Sequence, residues 1–175
     1  MMPESIAIGL AWFLAWLFGQ AAYHKFSAPD YYRQLIHRYA AVLPASSAIV
    51  IGVALAEAVI ALSLLLPEFR AAGLLVAAAL LLMYAVLMAR EILRGRAGAQ
   101  CGCAGPGSQL GISWGLVVRN GVCAVLALLC LGTGGTADAG WLGLLLAGFV
   151  AMFTALVYLT AEQVMSNAQW MAEEA

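Results

Sequence analysis

Five apolar runs divide this chain of 175 residues, and they restrict its possible folds more than any other feature. Each run is 18 to 20 residues long, and a helix of about 20 residues crosses a hydrocarbon core about 30 Å thick. Only 10% of the residues are charged, whereas soluble domains carry about a quarter. The sequence therefore predicts an all-α integral membrane protein, a bundle of about five transmembrane helices over residues 6–23, 48–66, 71–88, 112–131 and 141–159.

The segment between the first two runs predicts a shorter helix, at about residues 29–42. Ser27 is a typical N-cap, Pro29 suits the first helical turn, and Asp30 adds an acid there. Because this segment is short and charged throughout, we expect an interfacial helix that lies along the membrane surface. We expect one membrane domain over residues 1–175, with the first run kept as a helix because it lacks the basic start of a cleaved signal.

A polar hairpin, residues 100–107, holds two cysteines one residue apart in a CxC motif. Cys101 and Cys103 can form a disulfide only if their Cα atoms come within about 4.4–6.8 Å. Gly102 can adopt the backbone angles that bring them together. A ring this small is expected to be strained, and strained disulfides are easily reduced. The motif therefore favours thiol–disulfide exchange over a purely structural bridge.

Two other interpretations of the CxC hairpin stay open from its residues alone. The two cysteines can be idle thiols in a loop, or half of a site for a soft metal such as Cu(I), Zn or Hg. The only histidines, His24 and His37, do not have the spacing of metal ligands. Cys123 and Cys130 lie seven residues apart in the fourth run, about 10 Å along a helix, and are interpreted as packing residues.

Polar residues inside the apolar runs predict a pocket beneath the CxC hairpin. Glu57 interrupts the second run, and an ionisable group at that depth costs about 2.5–3.5 kcal/mol to insert. At 1.5 Å per residue, Glu57 and Arg119 lie about 13 and 10 Å below the hairpin face. We therefore expect a Glu57–Arg119 pair with Asn120 and Gln20 nearby, and Lys25 at the edge of the same pocket. A structural ion pair that binds no ligand is the alternative.

These features together resemble the MauE branch of the MauE/DoxX family of redox-associated membrane proteins, the methylamine utilisation proteins MauE. The resemblance covers about residues 9–131. It rests on His24-Lys25-Phe26, Pro29-Asp30, Glu57, Cys101-Gly102-Cys103-Ala104-Gly105 and Arg119-Asn120. Ala104 departs from the pattern, since the family often has an aromatic residue there, and this change affects how the turn packs.

The resemblance implies a DoxX-like core of four helices plus one further helix, in a bacterial inner membrane. It also implies a role in methylamine utilisation, in which a thioredoxin-like, MauD-like partner helps to mature the disulfide-rich small subunit of periplasmic methylamine dehydrogenase. By analogy, Cys101 and Cys103 exchange disulfides with that partner, and Glu57, Arg119 and Asn120 support the site. Electron transfer to or from a quinone is a further step of the same analogy.

Basic residues lie mainly in the first and third loops, on the side of the CxC hairpin. The positive-inside rule then predicts a periplasmic N-terminus and a cytoplasmic hairpin, whereas a partner with periplasmic substrates requires the reverse. The basic residues of the first and third loops are Lys25, Arg33, Arg38, Arg90, Arg94 and Arg96, whereas the opposite loops contain Arg70.

The sequence favours a membrane thiol–disulfide redox component. A non-catalytic scaffold or chaperone for the thioredoxin-like partner is the first alternative, and a soft-metal transporter that uses the CxC hairpin is the second. No basic tract interleaved with aromatic residues is present, which argues against nucleic acid as a partner.

Overall fold

A computed structural model describes residues 3–39, 46–99, 101–102, 105, 110–132 and 140–173 of the chain. Within these ranges there are six helices, of which all but α2 are long and apolar enough to cross a membrane. This confirms the all-α class and the five candidate spans. The helices are α1 (Glu4–Ser27), α2 (Pro29–Tyr39), α3 (Ser47–Leu65), α4 (Arg70–Leu93), α5 (Trp114–Leu131) and α6 (Trp141–Glu173).

Local sequence sets the helix boundaries around α3. The hydroxyl oxygen of Ser46 accepts a hydrogen bond of 3.2 Å from the backbone N–H of Ala48, which caps the start of the helix. Pro67 follows the end of α3 and restricts Leu66 to an extended conformation. Since a short turn joins α3 to α4, the two helices run antiparallel and pack against each other.

The first helix, α1, lies at the centre of the bundle. It packs against α3, α5 and α6 and is the most buried of the five candidate spans. Phe13, Leu14 and Phe18 of α1 form the middle of the main apolar core, together with Leu64 of α3 and Leu74 of α4. Helix α6 rests on α1 and is the least buried of the spans.

One end of the bundle collects the polar elements. The C-terminal ends of α1, α4 and α6 lie there, as do the starts of α3 and α5 and the whole of α2. Tyr32 and Leu35 of α2 pack against Val50 near the start of α3. The described part of the CxC hairpin lies at this same end, so several helices can position it.

A close approach of α1 and α6 depends on Gly9. A Cβ atom added there would lie 2.7 Å from Cβ of Val150, which is closer than side chains tolerate. Small residues at such contacts let membrane helices pack by their backbones. Gly148, on α6, has no atom within 4 Å of the equivalent position.

We expect Gly9→Ala to destabilise the bundle by about 1–3 kcal/mol, the usual cost of overpacking. Gly148→Ala is the matched control and should be neutral or slightly stabilising, because alanine favours helices by about 0.5–1 kcal/mol over glycine. Thermal unfolding of both variants in detergent measures the difference. Equal stability of the two variants would contradict the close contact at Gly9.

Candidate functional site

Backbone hydrogen bonds define the base of the CxC hairpin. The N–H groups of Gly98 and Cys101 donate to the carbonyls of Ile112 (3.0 Å) and Leu110 (3.1 Å). The N–H of Ile112 donates back to the carbonyl of Ala99 at 2.7 Å. Because this pairing uses the residues up to 112, α5 begins at residue 114, two residues after the expected start of the apolar run.

The hydrogen bond between Cys101 and Leu110 is the last backbone pairing described in this hairpin base, and Cys101 is disulfide-bonded. Its Sγ is 3.8 Å from Sδ of Met88 on α4, and the residue is 9% exposed. A disulfide sulfur carries no proton, so this is a packing contact between two polarisable sulfurs. Cys103 and Ala104 lie outside the described residues, and the role of the cysteine pair stays a prediction.

Two glycines let α1 and α2 approach the hairpin backbone. Gly102 and Gly105 have φ angles of +71° and +91°, a region that side chains disfavour. A Cβ at Gly102 would collide with Leu35 of α2, and one at Gly105 would lie 3.0 Å from the ring of His24 on α1. Glycine is therefore required at both positions by conformation and by space.

Tyr32 of α2 holds the peptide between the two cysteines. Its buried hydroxyl donates a hydrogen bond of 3.0 Å to the carbonyl of Gly102. Burial, assisted by the nearby Tyr31 and Glu57, raises the pKa of Tyr32 to about 12. The phenol therefore remains a neutral donor at physiological pH, and this hydrogen bond is lost only as the pH rises through about 12.

A buried ion pair lies below Tyr32. The Nζ of Lys25 donates to both carboxylate oxygens of Glu57 at 2.8 Å, and Glu57 has no exposed surface. The hydroxyl of Tyr84 donates a third hydrogen bond to the same carboxylate, at 2.7 Å. The same ammonium lies 5.3 Å from the centre of the Tyr32 ring, within the range of a cation–π contact. This network joins α1, α3 and α4 directly beneath the hairpin contact of α2.

The prediction that Glu57 forms an ion pair with Arg119 is wrong. The structure pairs Glu57 with Lys25, and Arg119 with Glu162 of α6 at 3.6 Å. The guanidinium of Arg119 also lies 4.7 Å from the centre of the Tyr158 ring. Depth along the helices places Glu57 and Arg119 at similar levels. The helices α3 and α5 each pack against α1 and α4, but they do not pack against each other to a comparable extent. Equal depth does not make two helices adjacent.

The two remaining residues of the expected pocket lie apart from the ion pair. Gln20 is half-buried one turn before His24 on α1. Asn120 is buried on α5, next in sequence to Arg119. In the part of the chain that the structure describes, neither donates to Glu57, whose hydrogen-bonding partners are Lys25 and Tyr84. Their functional roles stay predictions.

The C-terminal half of α6 contributes a residue that the sequence did not indicate. The side-chain amide of Gln169 accepts a hydrogen bond from the N–H of Gly111 (2.8 Å) and donates one to its carbonyl (3.0 Å). Beyond residue 159, where the predicted fifth span ends, α6 continues as a helix to Glu173, and its last turns contact the hairpin.

Tyr84 and His24 were also missed as site residues, although the sequence held partial indications of both. Tyr84 is the one internal polar side chain of its apolar run, which marks it as a possible partner for a buried carboxylate. His24 stands beside Lys25 in the motif of the family resemblance. Neither indication says which residue each side chain contacts.

A second ion-pair cluster fixes the chain where it leaves α4 for the hairpin. Glu91 is buried, and its Oε2 accepts a hydrogen bond of 2.6 Å from Nε of Arg96. Arg94 lies 3.6 Å from the other carboxylate oxygen. These contacts hold the chain just before Gly98, where the hairpin pairing begins.

The described ranges contain no group of three or more His, Cys, Asp and Glu side chains arranged to hold a metal ion. Cys123 and Cys130 are buried in the main apolar core with Ala124 and Ala127, in agreement with their interpretation as packing residues.

Comparison with known proteins identifies relatives over most of the chain. The family model described as Methylamine utilisation protein MauE matches residues 3–133. Methylamine utilization protein MauE of Paracoccus denitrificans is 36% identical over 157 residues, which cover 85% of this chain and 81% of that protein. The protein of the same name from Paracoccus versutus is 35% identical over 137 residues, 72% of each chain. No solved structure matches the chain significantly.

Lys25→Met should destabilise the protein by about 3–5 kcal/mol, because it leaves a buried carboxylate without its cation. The double variant Lys25→Met/Glu57→Gln should regain most of that loss, since no buried charge remains. Thermal unfolding of both single variants and the double variant in detergent measures the coupling. If the two single losses simply add, the pair does not interact as described.

A chemical measurement can follow the same ion pair, because Lys25 is the only lysine of the chain. Glu57→Gln should increase the reactivity of this amine towards a small amine-specific reagent. Glu68→Gln, in the exposed turn between α3 and α4, is the control and should leave the reactivity unchanged.

Tyr32→Phe should cost about 1–3 kcal/mol, because it leaves the carbonyl of Gly102 without its donor. Tyr31→Phe is the control at the neighbouring position, since the buried Tyr31 hydroxyl has no hydrogen-bond partner among the described residues. That change should be neutral or stabilising, and thermal unfolding compares the two. A larger loss for Tyr31→Phe would overturn the assignment.

Proposed function

The chain belongs to the MauE family, and we propose that it is a membrane thiol–disulfide redox component of methylamine utilisation. The observation that carries this proposal is the disulfide-bonded Cys101 in a hairpin held by Tyr32 and Gly102. We propose Cys103 as the second cysteine of that disulfide. A thioredoxin-like, MauD-like protein is its partner, and the disulfide-rich small subunit of methylamine dehydrogenase is the client.

The proposed reaction is an exchange between two dithiol–disulfide pairs. A thiolate of the partner attacks one sulfur of the Cys101–Cys103 disulfide and forms a mixed disulfide, and the other cysteine leaves as a thiolate. The partner's second thiolate then attacks the mixed disulfide. The partner becomes a disulfide, and Cys101 and Cys103 receive two electrons and two protons. The reverse sequence oxidises the pair, and the two reduction potentials set the direction.

The hairpin supports give this exchange a fixed geometry. Tyr32 holds the carbonyl of the residue between the two cysteines, and Lys25 below it is held by Glu57. The cysteine pair therefore stands on a network that joins four helices rather than on an isolated loop. Preorganised groups of this kind keep reacting atoms in place without reorganisation during the reaction.

A quinone, the acceptor to which the family analogy extends, does not fit the polar network beneath the hairpin. Lys25 and Tyr84 both donate to Glu57, so these described donors are already committed. The proposal therefore routes no step through a quinone.

The scaffold alternative is favoured by one observation, the burial of Cys101. Its sulfur packs against Met88 and the residue is 9% exposed, so a partner reaches it only through movement of the hairpin or through Cys103. In this alternative the hairpin is a rigid surface that binds the thioredoxin-like partner, and its cysteines do not exchange.

We propose that the hairpin end of the bundle faces the cytoplasm, on the basis of charge. Lys25, Arg33, Arg90, Arg94 and Arg96 all lie at that end, and Arg70 lies at the other. The N-terminus is then periplasmic, in the bacterial inner membrane. A partner acting on periplasmic disulfides requires the opposite orientation, so the two proposals are tested separately.

Replacement of both cysteines by serine tests the redox function. The variants are expressed in a strain that lacks the native protein, and the accumulation of the methylamine dehydrogenase small subunit is measured. With Cys101→Ser/Cys103→Ser, this accumulation should fall to the level seen in the strain without any complementing protein. Cys123→Ala/Cys130→Ala is the matched control and should support normal accumulation, because those cysteines lie in the apolar core. Normal accumulation with the serine variant would exclude exchange and favour the scaffold.

Labelling with a membrane-impermeant maleimide tests the orientation in the Cys123→Ala/Cys130→Ala background. Intact spheroplasts and inverted vesicles are compared, each before and after mild reduction. The charge distribution predicts labelling only in inverted vesicles and only after reduction. Labelling in spheroplasts alone would reverse the orientation without affecting the test of the serine variant.

A further inference from the structure

The last turns of α6 carry a continuous stripe of contacts with α5 and the hairpin. Tyr158 and Glu162 contact Arg119, Met165 contacts Gly115, and Gln169 binds Gly111. These four α6 positions are spaced by four, three and four residues, which is the spacing of one helix face. The neighbouring Gln163, Val164, Asn167 and Ala168 are exposed.

Gln169 binds the hairpin as a further strand would. Its amide oxygen accepts from the N–H of Gly111 and its amide nitrogen donates to the carbonyl of the same residue. A strand edge presents this pair of groups to a neighbouring strand. One side chain therefore satisfies both outward-facing backbone groups of Gly111, at the edge of the strand that pairs with Ala99 and Cys101.

Met165 adds an apolar contact to the same support. It packs against the cluster that contains Cys101, Met88, Leu110 and Leu116. A Cβ on Gly115 would lie 2.7 Å from its sulfur, so the two helices meet closely at this point. The helix thus contacts both the backbone of the hairpin strand and the apolar surroundings of the cysteine.

The length of α6 agrees with a role for these turns beyond crossing a membrane. The helix has 33 residues, whereas about 20 suffice to span a hydrocarbon core. The stripe residues also lie beyond residue 133, where the match to the family model ends.

We propose that the C-terminal half of α6 clamps the CxC hairpin and that Gln169 is a positioning residue for the cysteine pair. Gln169 fixes Gly111, and the adjacent Leu110 carbonyl accepts the N–H of Cys101. Through these bonds the clamp favours the hairpin conformation that holds the disulfide. The inference rests on the proposed exchange function for its use, but its physical test does not require the partner or the client.

The test compares Gln169→Met, which keeps the side-chain length but loses both hydrogen bonds, with Gln163→Met on the exposed face of the same helix. Two measurements are made on the full-length protein in detergent. The first is hydrogen exchange of the Gly111 amide. The second is the equilibrium between the Cys101–Cys103 disulfide and dithiothreitol, which is oxidised to its cyclic disulfide as both cysteines become thiols.

We expect Gln169→Met to accelerate exchange at Gly111 and to raise the equilibrium constant for reduction, each by about tenfold or more, because each of the two hydrogen bonds lost is worth up to about tenfold. Gln163→Met should change neither.

Two results would overturn the clamp. Unchanged exchange at Gly111 would mean that Gln169 does not hold the strand. Faster exchange with an unchanged reduction equilibrium would mean that the contact is structural only and does not reach the cysteines. If the clamp is supported but the Cys101→Ser/Cys103→Ser protein still supports maturation, the proposed function fails and the clamp remains.

Discussion

A carboxylate with no exposed surface, Glu57, sets the conditions for the rest of this bundle. In the interior of a membrane protein such a charge must be matched by a cation and by hydrogen bonds. Lys25 and Tyr84 supply both, and they come from the helices on either side. Because a buried ion pair tolerates neither the loss nor the displacement of one partner, α1, α3 and α4 are fixed relative to one another. The arrangement of these three helices beneath the hairpin is therefore determined by an ion pair as well as by apolar packing.

The CxC hairpin is held against the helices mainly through contacts to its backbone. Tyr32 binds the carbonyl of Gly102, the ring of His24 lies against Gly105, and Gln169 binds Gly111. These contacts hold main-chain atoms or need the space that glycine leaves, so they constrain the path of the hairpin without using the cysteine sulfurs. The supports therefore act through the main chain, and they favour the hairpin conformation in which Cys101 is disulfide-bonded.

The sequence predicted the class of fold because five long apolar runs leave few alternatives in a chain with so few charges. It also located the hairpin and the buried Glu57, since both are chemical exceptions in their surroundings. The partner of Glu57 was assigned wrongly because counting residues along helices gives depth but not the arrangement of helices around the bundle. Lys25 was placed at the edge of the pocket, whereas its long side chain brings its ammonium to the carboxylate itself.

The role of α6 could not be predicted for a related reason. Its polar residues beyond position 159 have the composition of a solvated tail, and the side-chain amide of Gln169 resembles that of the exposed Gln163 in every local respect. What distinguishes the two is which face of a long helix meets the hairpin. That follows from the packing of α6 against α1, which includes the close contact at Gly9, more than 100 residues away in sequence.

The sequence separation between the hairpin and Gln169 has a consequence for biogenesis. Proteins are synthesised from the amino terminus, and early segments begin to fold before late ones exist. The hairpin leaves the ribosome some 60 residues before the glutamine that binds its strand edge. The hairpin therefore gains this support only after some 60 further residues have been synthesised, so a chain that stops before Gln169 carries the cysteines without the complete set of contacts that holds them.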